Sequence, residues 1–185
     1  MNNTKNLYLT QNDLLLRKLM EYYQKDNGER LDRIINIING NSKISLRLID
    51  WFVTNYAKMN FIIYPIIKEN KSYRFKVYID YKLKLKAYSK KRFDPFCRWD
   101  RIEVPYKDGL MVQTTIGQLN FFKWAIENQI LEYIENHYEE IENDMNKRNS
   151  TAKNRDKQNK TRKKREELSI SASKNIKKEK VEIIV

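Results

Sequence analysis

The stretch YRFKVYIDYKLKLKAY, Tyr73–Tyr88, alternates between two kinds of side chain without interruption. Its odd positions are apolar or aromatic throughout. The even positions are mostly basic and include Arg74, Lys76, Lys82, Lys84 and Lys86. Successive side chains of a β-strand point to opposite faces of the sheet. The stretch therefore predicts one long strand of an antiparallel sheet, with an apolar face turned to the core and a cationic face turned outward.

Helices are predicted on the N-terminal side of this strand. Thr10–Asp13 has the pattern of a capping box, and leucines and tyrosines follow it at helical spacing. A second helix is predicted over Glu29–Asn39, with Gly40 after its end. A third, strongly apolar helix begins at Ser42 or Ser45 and runs to about Met59.

Three further strands and a long helix are predicted around it. Residues 61–67 form a strand that Pro65 interrupts, and two short strands flank a turn at Lys107–Gly109. A second capping box, Thr115–Gln118, opens a helix that continues to about Met145. Beyond Asn146 the helical period disappears, and Lys, Arg, Asn and Ser dominate, which predicts disorder.

These elements indicate an α+β fold. We expect N-terminal helices, a four-stranded mostly antiparallel sheet, a long C-terminal helix packed on that sheet, and a disordered basic tail. The odd positions of the long strand would be buried against Leu119, Phe122 and Ile126. The predicted divisions are a helical extension over 1–43, a core domain over 44–145 and the tail over 146–185.

Composition narrows the class of protein. The chain has 185 residues, one cysteine (Cys97) and one histidine (His137), so an internal disulfide and an ordinary Cys/His zinc site are excluded. No run of about 18 apolar residues and no signal-peptide pattern occur in the sequence. We therefore expect a soluble, intracellular protein that has no cofactor, no metal and no contact with a membrane.

The positive charge is concentrated at one end of the chain. The net charge is +13, and residues 146–185 hold 14 Lys and Arg against 5 Asp and Glu. The tail therefore carries +9 and the rest only +4. Lysine-rich tails bind phosphate backbones without sequence specificity, and Arg162–Arg165 also resembles a nuclear import signal. The alternative is a solubilising tail in a protein whose Lys, Asn and Ile content reflects an AT-rich genome.

The main candidate site is a nucleic-acid-binding face. Cations neutralise phosphates, and aromatic rings such as Phe93, Phe96 and Trp99 offer stacking surfaces to unpaired bases. The alternative is an ordinary solvated sheet face with those rings in the core. The predicted nucleic-acid-binding residues are Arg74, Lys76, Lys82, Lys84, Lys86, Lys90, Lys91, Arg92, Arg98, Arg101, Arg162, Lys163, Lys164 and Arg165.

Two other groups carry weaker hypotheses. Glu135, His137 and Glu139 could be drawn as a metal or acid–base site, but most such acidic arrays on a helix are solvated. Cys97 has basic neighbours but no predictable partner histidine, which favours a structural role. Since there is also no phosphate-binding glycine loop or catalytic triad pattern, we expect no catalytic residues and no enzymatic activity.

Three blocks of the sequence together resemble a family of small proteins of nucleocytoplasmic large DNA viruses, the giant viruses. They are ISLRLIDWFVTNYAKMN at 44–60, YKLKLKAYSKKRFDPFCRWDRI at 81–102 and TTIGQLNFFKWAIENQILEYI at 114–134. The resemblance covers roughly residues 44–145 and brings no functional residues with it. It implies a viral protein that acts in the host cytoplasm, a viral factory or the virion, with nuclear entry through the basic tail as a further option.

The leading functional prediction is non-enzymatic binding of DNA or RNA, in genome packaging, transcription or RNA handling. The alternative is a structural or adaptor protein of the virion or viral factory that assembles with viral proteins. The two functions can be distinguished by experiment, because an adaptor must assemble with other proteins in the absence of nucleic acid.

Overall fold

The structure, a computed structural model, describes residues 10–68 and 70–158. The chain divides into two units, one ending at Lys147 and one beginning at Arg148. The first unit contains the core, and its helices and strands are mixed as the α+β prediction requires. Of the second unit, only helical backbone over residues 148–158 is described.

The two N-terminal helices form where the sequence patterns predicted them. Helix α1 spans Gln11–Gln24, and the Thr10 hydroxyl accepts a hydrogen bond from the backbone N–H of Asp13, whose carboxylate in turn accepts from the Thr10 N–H. Helix α2 spans Glu29–Ile38 and places Ile34 and Ile35 in the core. Both the reciprocal cap and the apolar spacing are local signals, which explains why the sequence located these helices.

The third helix is interrupted by one wider turn. Helix α3, Leu46–Trp51, is capped by Ser45 and leads into a π-helical segment, Phe52–Tyr56, and then into the single turn α4, Ala57–Met59. The Thr54 hydroxyl donates to the backbone carbonyl of Asp50 at 2.6 Å within this segment. A π turn accommodates one extra residue, so it shifts the side chains after it around the helix axis.

The prediction of one four-stranded sheet is wrong for the described residues. Strands β1 (Ile63–Lys68) and β2 (Lys71–Lys76) form one antiparallel pair, and β3 (Arg101–Pro105) and β4 (Met111–Thr115) form another. The β3–β4 hairpin itself is confirmed, and Gly109 adopts the left-handed conformation, φ 73°, that its turn requires. The strand predicted over Tyr73–Tyr88 is extended only as far as Lys76, where β2 ends.

The long strand is mostly a helix. After β2 ends at Lys76, helix α5 spans Val77–Arg92, with a kink at Ser89. Val77 and Tyr81 are buried in it, while Ile79 and Leu83 are exposed, so the expected apolar face is split. The physical reason is that Val77, Tyr81 and Leu85 lie four residues apart and share one side of a helix. Lys, Leu and Ala after Ile79 also favour helix, whereas strands favour β-branched residues.

The single long C-terminal helix is also a wrong prediction. Helix α6 spans Ile116–Glu127, α7 spans Ile130–Asn136 and α8 spans Tyr138–Gln158. The first break follows from Gln129, which takes a left-handed conformation at φ 56° that ends helical geometry. Helix α8 continues through residues 146–158, so the prediction of disorder from Asn146 is wrong for that part. Residues 159–185 lie outside the described residues.

Helix α6 is the centre of the core. It contacts α1 and α5, and its aromatic residues Phe121, Phe122 and Trp124 are buried. Tyr23 of α1 donates a hydrogen bond to the carbonyl of Leu119 at 2.7 Å. Gly117 allows the closest approach, because a Cβ added there would lie 2.9 Å from the Lys91 carbonyl oxygen. Helix α6, the first part of the predicted C-terminal helix, therefore packs mainly against other helices and not across a sheet.

Candidate functional site

The predicted cations of residues 74–101 are distributed over several faces. Arg74 and Lys76 are exposed on β2, and Lys82, Lys86 and Lys90 are exposed on α5. Lys84 is half-buried on a different side of α5. A strand would have placed Lys82, Lys84 and Lys86 on one face, but a helix turns by about 100° per residue and separates Lys84 from the other two. The predicted continuous cationic face is therefore not formed.

Four other predicted nucleic-acid-binding residues form ion pairs or hydrogen bonds with side chains of the protein itself. Arg98 makes a two-pronged ion pair with Asp94, both contacts at 2.8 Å, and Lys91 Nζ lies 2.9 Å from a carboxylate oxygen of Asp100. The remaining two donate to amide oxygens, Arg92 to Asn12 at 2.7 Å and Arg101 to Gln113 at 2.8 Å. These contacts stabilise the fold and use part of the donor capacity that phosphate binding would need. Arg162, Lys163, Lys164 and Arg165 lie outside the described residues.

Of the three predicted stacking rings near these cations, Phe93 and Phe96 are covered by protein groups, whereas Trp99 is 42% exposed. Phe93 is buried and packs against Tyr88, Phe121 and Trp124, with ring centroids 5.3–6.2 Å apart. Phe96 is half-buried, and the Arg98 guanidinium lies over its ring at 4.8 Å. The alternative prediction from the sequence was that these rings lie in the core, and it is confirmed for Phe93.

The described residues also form an apolar groove that the sequence did not reveal. It consists of two joined cavities of about 300 and 480 Å³ that share Tyr78 and Ile79. The smaller is lined by Ala57, Lys58, Phe61, Ile62, Ile63, Lys76, Tyr78 and Ile79. The larger is lined by Tyr78, Ile79, Lys82, Leu83, Leu85 and Lys86.

Large apolar side chains are exposed along the groove. Phe61 is 83% exposed, Leu83 60% and Ile79 54%. Single exposed apolar residues are common on protein surfaces, but a contiguous group of them marks an interaction site. Ile79 and Leu83 are four residues apart on α5 and form a ridge of the kind that packs against another helix.

Backbone geometry brings the two sides of the groove together. The N–H of Val77 donates to the carbonyl of Ile62 at 3.3 Å, which ties the start of α5 to the segment before β1. Phe61 adopts a left-handed conformation, φ 48°, which is costly for a bulky residue and turns the chain between α4 and β1. The strained turn presents the Phe61 ring beside the α5 ridge.

The charged side chains that line the groove all have the same sign. Among the described residues, its lining includes Lys58, Lys76, Lys82 and Lys86 and no Asp or Glu. Lys58 Nζ also lies 5.7 Å from the centre of the Tyr78 ring. Lys82 and Lys86 are four residues apart, a spacing at which like charges on a helix repel each other. The groove is therefore apolar along its floor and positive along its rim.

A smaller polar cleft of about 140 Å³ lies on the other side of α5, lined in part by Asp80, Lys84, Lys123 and Asn128. Its groups are bonded to one another. Trp124 Nε1 donates to Asp80 at 2.6 Å, and the Lys68 ammonium donates to the side-chain oxygen of Asn128 at 2.9 Å. This arrangement joins α5, α6 and the β1–β2 hairpin and leaves little capacity for a ligand.

The acidic residues of α7 and α8 also have structural partners. Arg33 of α2 forms ion pairs with Glu132 and Glu135, the latter at 3.1 Å. The His137 ring stacks on Tyr133 with centroids 4.1 Å apart, and its Nδ1 lies 2.9 Å from the Tyr133 carbonyl. Among residues 10–68 and 70–158, no group of three His, Cys, Asp or Glu side chains is placed to hold a metal ion.

A buried polar cluster joins α3, α5 and the loop after α5. Burial raises the pKa of Asp50, with Asp94 adding to the shift while Arg98 and Lys90 oppose it. Burial also raises the pKa of Tyr81 to about 12, and the charges of Asp50 and Asp94 contribute. Folding therefore disfavours the ionised form of the Asp50 carboxyl group relative to its protonated form.

Replacing Asp50 with asparagine is expected to increase the free energy of unfolding at pH 7. Because the pKa of Asp50 is raised on folding, its ionised form destabilises the folded state above that pKa. As the pH falls through the folded pKa, the folded state binds a proton first and the penalty disappears. The free energies of unfolding of D50N and the original protein, measured by urea denaturation, should therefore differ at pH 7 and converge near pH 3. The control variant D100N changes an exposed carboxylate and should show no such convergence with the original protein. A difference that is constant with pH contradicts this assignment.

In the described part of the chain, none of the helices is both long enough and apolar enough to cross a membrane.

Comparison with known proteins places the chain among viral proteins. It belongs to a family of unknown function, DUF7197, whose family model matches residues 1–185. It is also 46% identical over 129 residues to an uncharacterised protein of Acanthamoeba polyphaga mimivirus, which is a giant virus. The match covers 67% of this chain, and the chain spans about half the length of that relative, 49%. The resemblance to giant-virus proteins is therefore confirmed. No solved structure matches the chain.

Proposed function

We propose that this protein is a non-enzymatic adaptor of a giant virus, and that it binds another protein in the apolar groove. The observation that carries the proposal is the joined pair of cavities, 300 and 480 Å³, beside the exposed side chains of Phe61, Ile79 and Leu83. Protein interfaces use aromatic and aliphatic anchors at their centre and a charged rim around them. The virion or the viral factory is the proposed place of action.

Nucleic-acid binding remains a second candidate, because one specific observation favours it. The exposed cations Arg74, Lys76, Lys82, Lys86 and Lys90 add to the +9 charge of residues 146–185. The pairing of Arg92, Arg98 and Arg101 with protein groups and the burial of Phe93 weigh against the folded body as the binding surface. The proposal for nucleic acid therefore rests mainly on the tail.

The adaptor proposal is tested by selecting displayed 16-residue peptides on the full-length protein. Selected peptides should bind with micromolar affinity and lose at least tenfold in affinity to the double variant I79Q/L83Q. The loss is expected because truncating central anchors of an interface typically costs more than 1.4 kcal/mol, which is tenfold in Kd. Fluorescence anisotropy with labelled peptides measures it.

The matched control is L14Q/L110Q, which removes two exposed leucines that lie outside the groove lining. All four positions are exposed, so circular dichroism and thermal unfolding should be nearly unchanged. If no peptide is selected, or if the selected peptides bind I79Q/L83Q as well as the original protein, the adaptor proposal fails. Loss of binding to a single-stranded oligonucleotide in the same groove variant would instead favour nucleic acid.

A further inference from the structure

The apolar groove has the features of a receptor for a helix of one particular charge. We propose that its partner is an acidic amphipathic helix of another protein, with apolar residues on one face and Asp or Glu beside them. This inference deepens the adaptor proposal and rests on it. Three features of the groove support it: its shape, the spacing of its anchors and the sign of its rim.

Shape favours an inserted helix. The larger cavity follows α5 from Tyr78 to Lys86, a length of about 12 Å at 1.5 Å per residue. The smaller cavity extends the groove past Ile79 to Phe61 and Ile63. A helix of about three turns fits such a length, and the Ile79–Leu83 ridge offers an i, i+4 row that packs between the rows of a second helix.

The rim determines the charge of the partner. Four lysines line the groove, Lys58, Lys76, Lys82 and Lys86, and no described acidic residue lines it. Carboxylates on either side of an apolar stripe would face these ammonium groups while the stripe lies on the floor. They would also relieve the repulsion between Lys82 and Lys86. Complementary charge of this kind selects the partner and speeds its association.

Other anionic partners fit less well. Single-stranded nucleic acids stack successive bases on aromatic rings, and the groove has two such rings, Phe61 and Tyr78, while Ile63, Ile79 and Leu83 are aliphatic. The apolar surface is a narrow ridge, Ile79 and Leu83, with a pocket on each side, which suits the side-chain rows of a second helix better than a broad membrane surface. An amphipathic helix in a groove matches both the pockets and the ridge.

The test uses three labelled 16-residue peptides and the full-length protein. The first has leucines at i, i+3, i+4 and i+7 with glutamates beside them. The second is an isomer of the same composition with the stripe scrambled, and the third replaces each glutamate with glutamine. The isomer is essential because the tail, at +9, attracts any acidic peptide equally. Fluorescence anisotropy at 50, 150 and 300 mM salt gives the affinities.

The striped acidic peptide should bind at least tenfold more tightly than either control peptide at 150 mM salt. The variant K82Q/K86Q should lose about three- to tenfold of that affinity and show a weaker salt dependence. The matched control R74Q/K90Q removes two exposed cations outside the groove lining and should retain the affinity.

Each other outcome overturns a defined part of the argument. If the glutamine peptide binds as tightly as the acidic one and I79Q/L83Q abolishes both, the groove binds protein but not an acidic helix. If the scrambled isomer binds equally, only the tail is responsible. If neither striped peptide binds but phosphatidylserine vesicles or an oligonucleotide bind and are lost in I79Q/L83Q, the inference and the adaptor proposal both fail.

Discussion

Replacing Phe93 with alanine should lower the free energy of unfolding by about 4 kcal/mol, the middle of the range for a buried phenylalanine. The Phe93 ring is buried and contacts the rings of Tyr81, Tyr88, Phe121 and Trp124. Its removal leaves a cavity where α5, α6 and the following loop meet, and the loss of aromatic contacts adds to the lost burial. Urea denaturation followed by tryptophan fluorescence measures the change.

The matched control is F61A. Phe61 is also a phenylalanine near an end of a helix, but it is 83% exposed, so its removal should change the free energy of unfolding by less than about 0.5 kcal/mol. A loss below about 1 kcal/mol in F93A, or equal losses in both variants, would show that Phe93 is not part of the core. In that case the residue would again be a candidate stacking surface.

Replacing Arg98 with alanine should destabilise the protein by about 3 kcal/mol, although the Arg98 side chain is itself 59% exposed. Its partner Asp94 is only 2% exposed and accepts two hydrogen bonds from the guanidinium and one from the N–H of Phe96. Without Arg98, a buried carboxylate loses its counter-charge. Breaking such a pair from one side costs far more than the pair contributes to stability.

Three further variants check this interpretation of Arg98. R98K keeps the charge but loses the two-pronged geometry, so it should fall between R98A and the original protein. R101A removes an exposed cation that donates to the side chain of Gln113, and it should change the free energy of unfolding very little. Adding D94N to R98A should recover part of the loss because no unpaired charge remains. If R98A and R101A behave alike, Arg98 is a surface cation and its assignment to nucleic-acid binding becomes open again.

Sequence signals were sufficient where they were local. The reciprocal cap at Thr10, the cap at Ser45, the cap at Thr115 and the hairpin turn at Gly109 each depend on contacts between residues less than five positions apart. Such contacts are present in the sequence pattern itself. This is why the starts of α1 and α6 and the β3–β4 hairpin could be predicted, and why Ser45 was one of the two starts considered for α3.

The alternating stretch was misassigned because two periods fit it at once. Alternation placed Val77, Tyr81 and Leu85 on one strand face, but the same three residues are also four apart and share a helix face. The composition of residues 81–88, rich in Lys, Leu and Ala, was the signal for helix. Contact with α6 also favours the helix, since Trp124 donates to Asp80 of α5 and its ring lies 6.0 Å from the Tyr81 ring in a tilted arrangement.

The candidate site could not be predicted because its parts are distant in sequence and its anchors looked like core. Ile79 and Leu83 were expected to be buried, and only their exposure in the fold identifies them as binding residues. Phe61 joins them through a strained turn at Asn60–Phe61 that no glycine or proline marks. The break in the last helix at Gln129 likewise lacks a sequence signal, because glutamine rarely adopts a left-handed conformation.

The π-helical segment Phe52–Tyr56 joins the core to the groove. The residues before it pack in the core, where Leu48 and Ile49 are buried, and the residues after it lead to Ala57, Lys58 and Phe61 at the groove. A π turn differs from an α turn by a single residue. Losing that residue would rotate the helical residues after it by about 100°, which would turn the buried Ala57 out of the core and move Lys58 at the groove. A one-codon deletion here would therefore disturb the interior and the groove together, so the wider turn couples the position of the groove to the packing of the core.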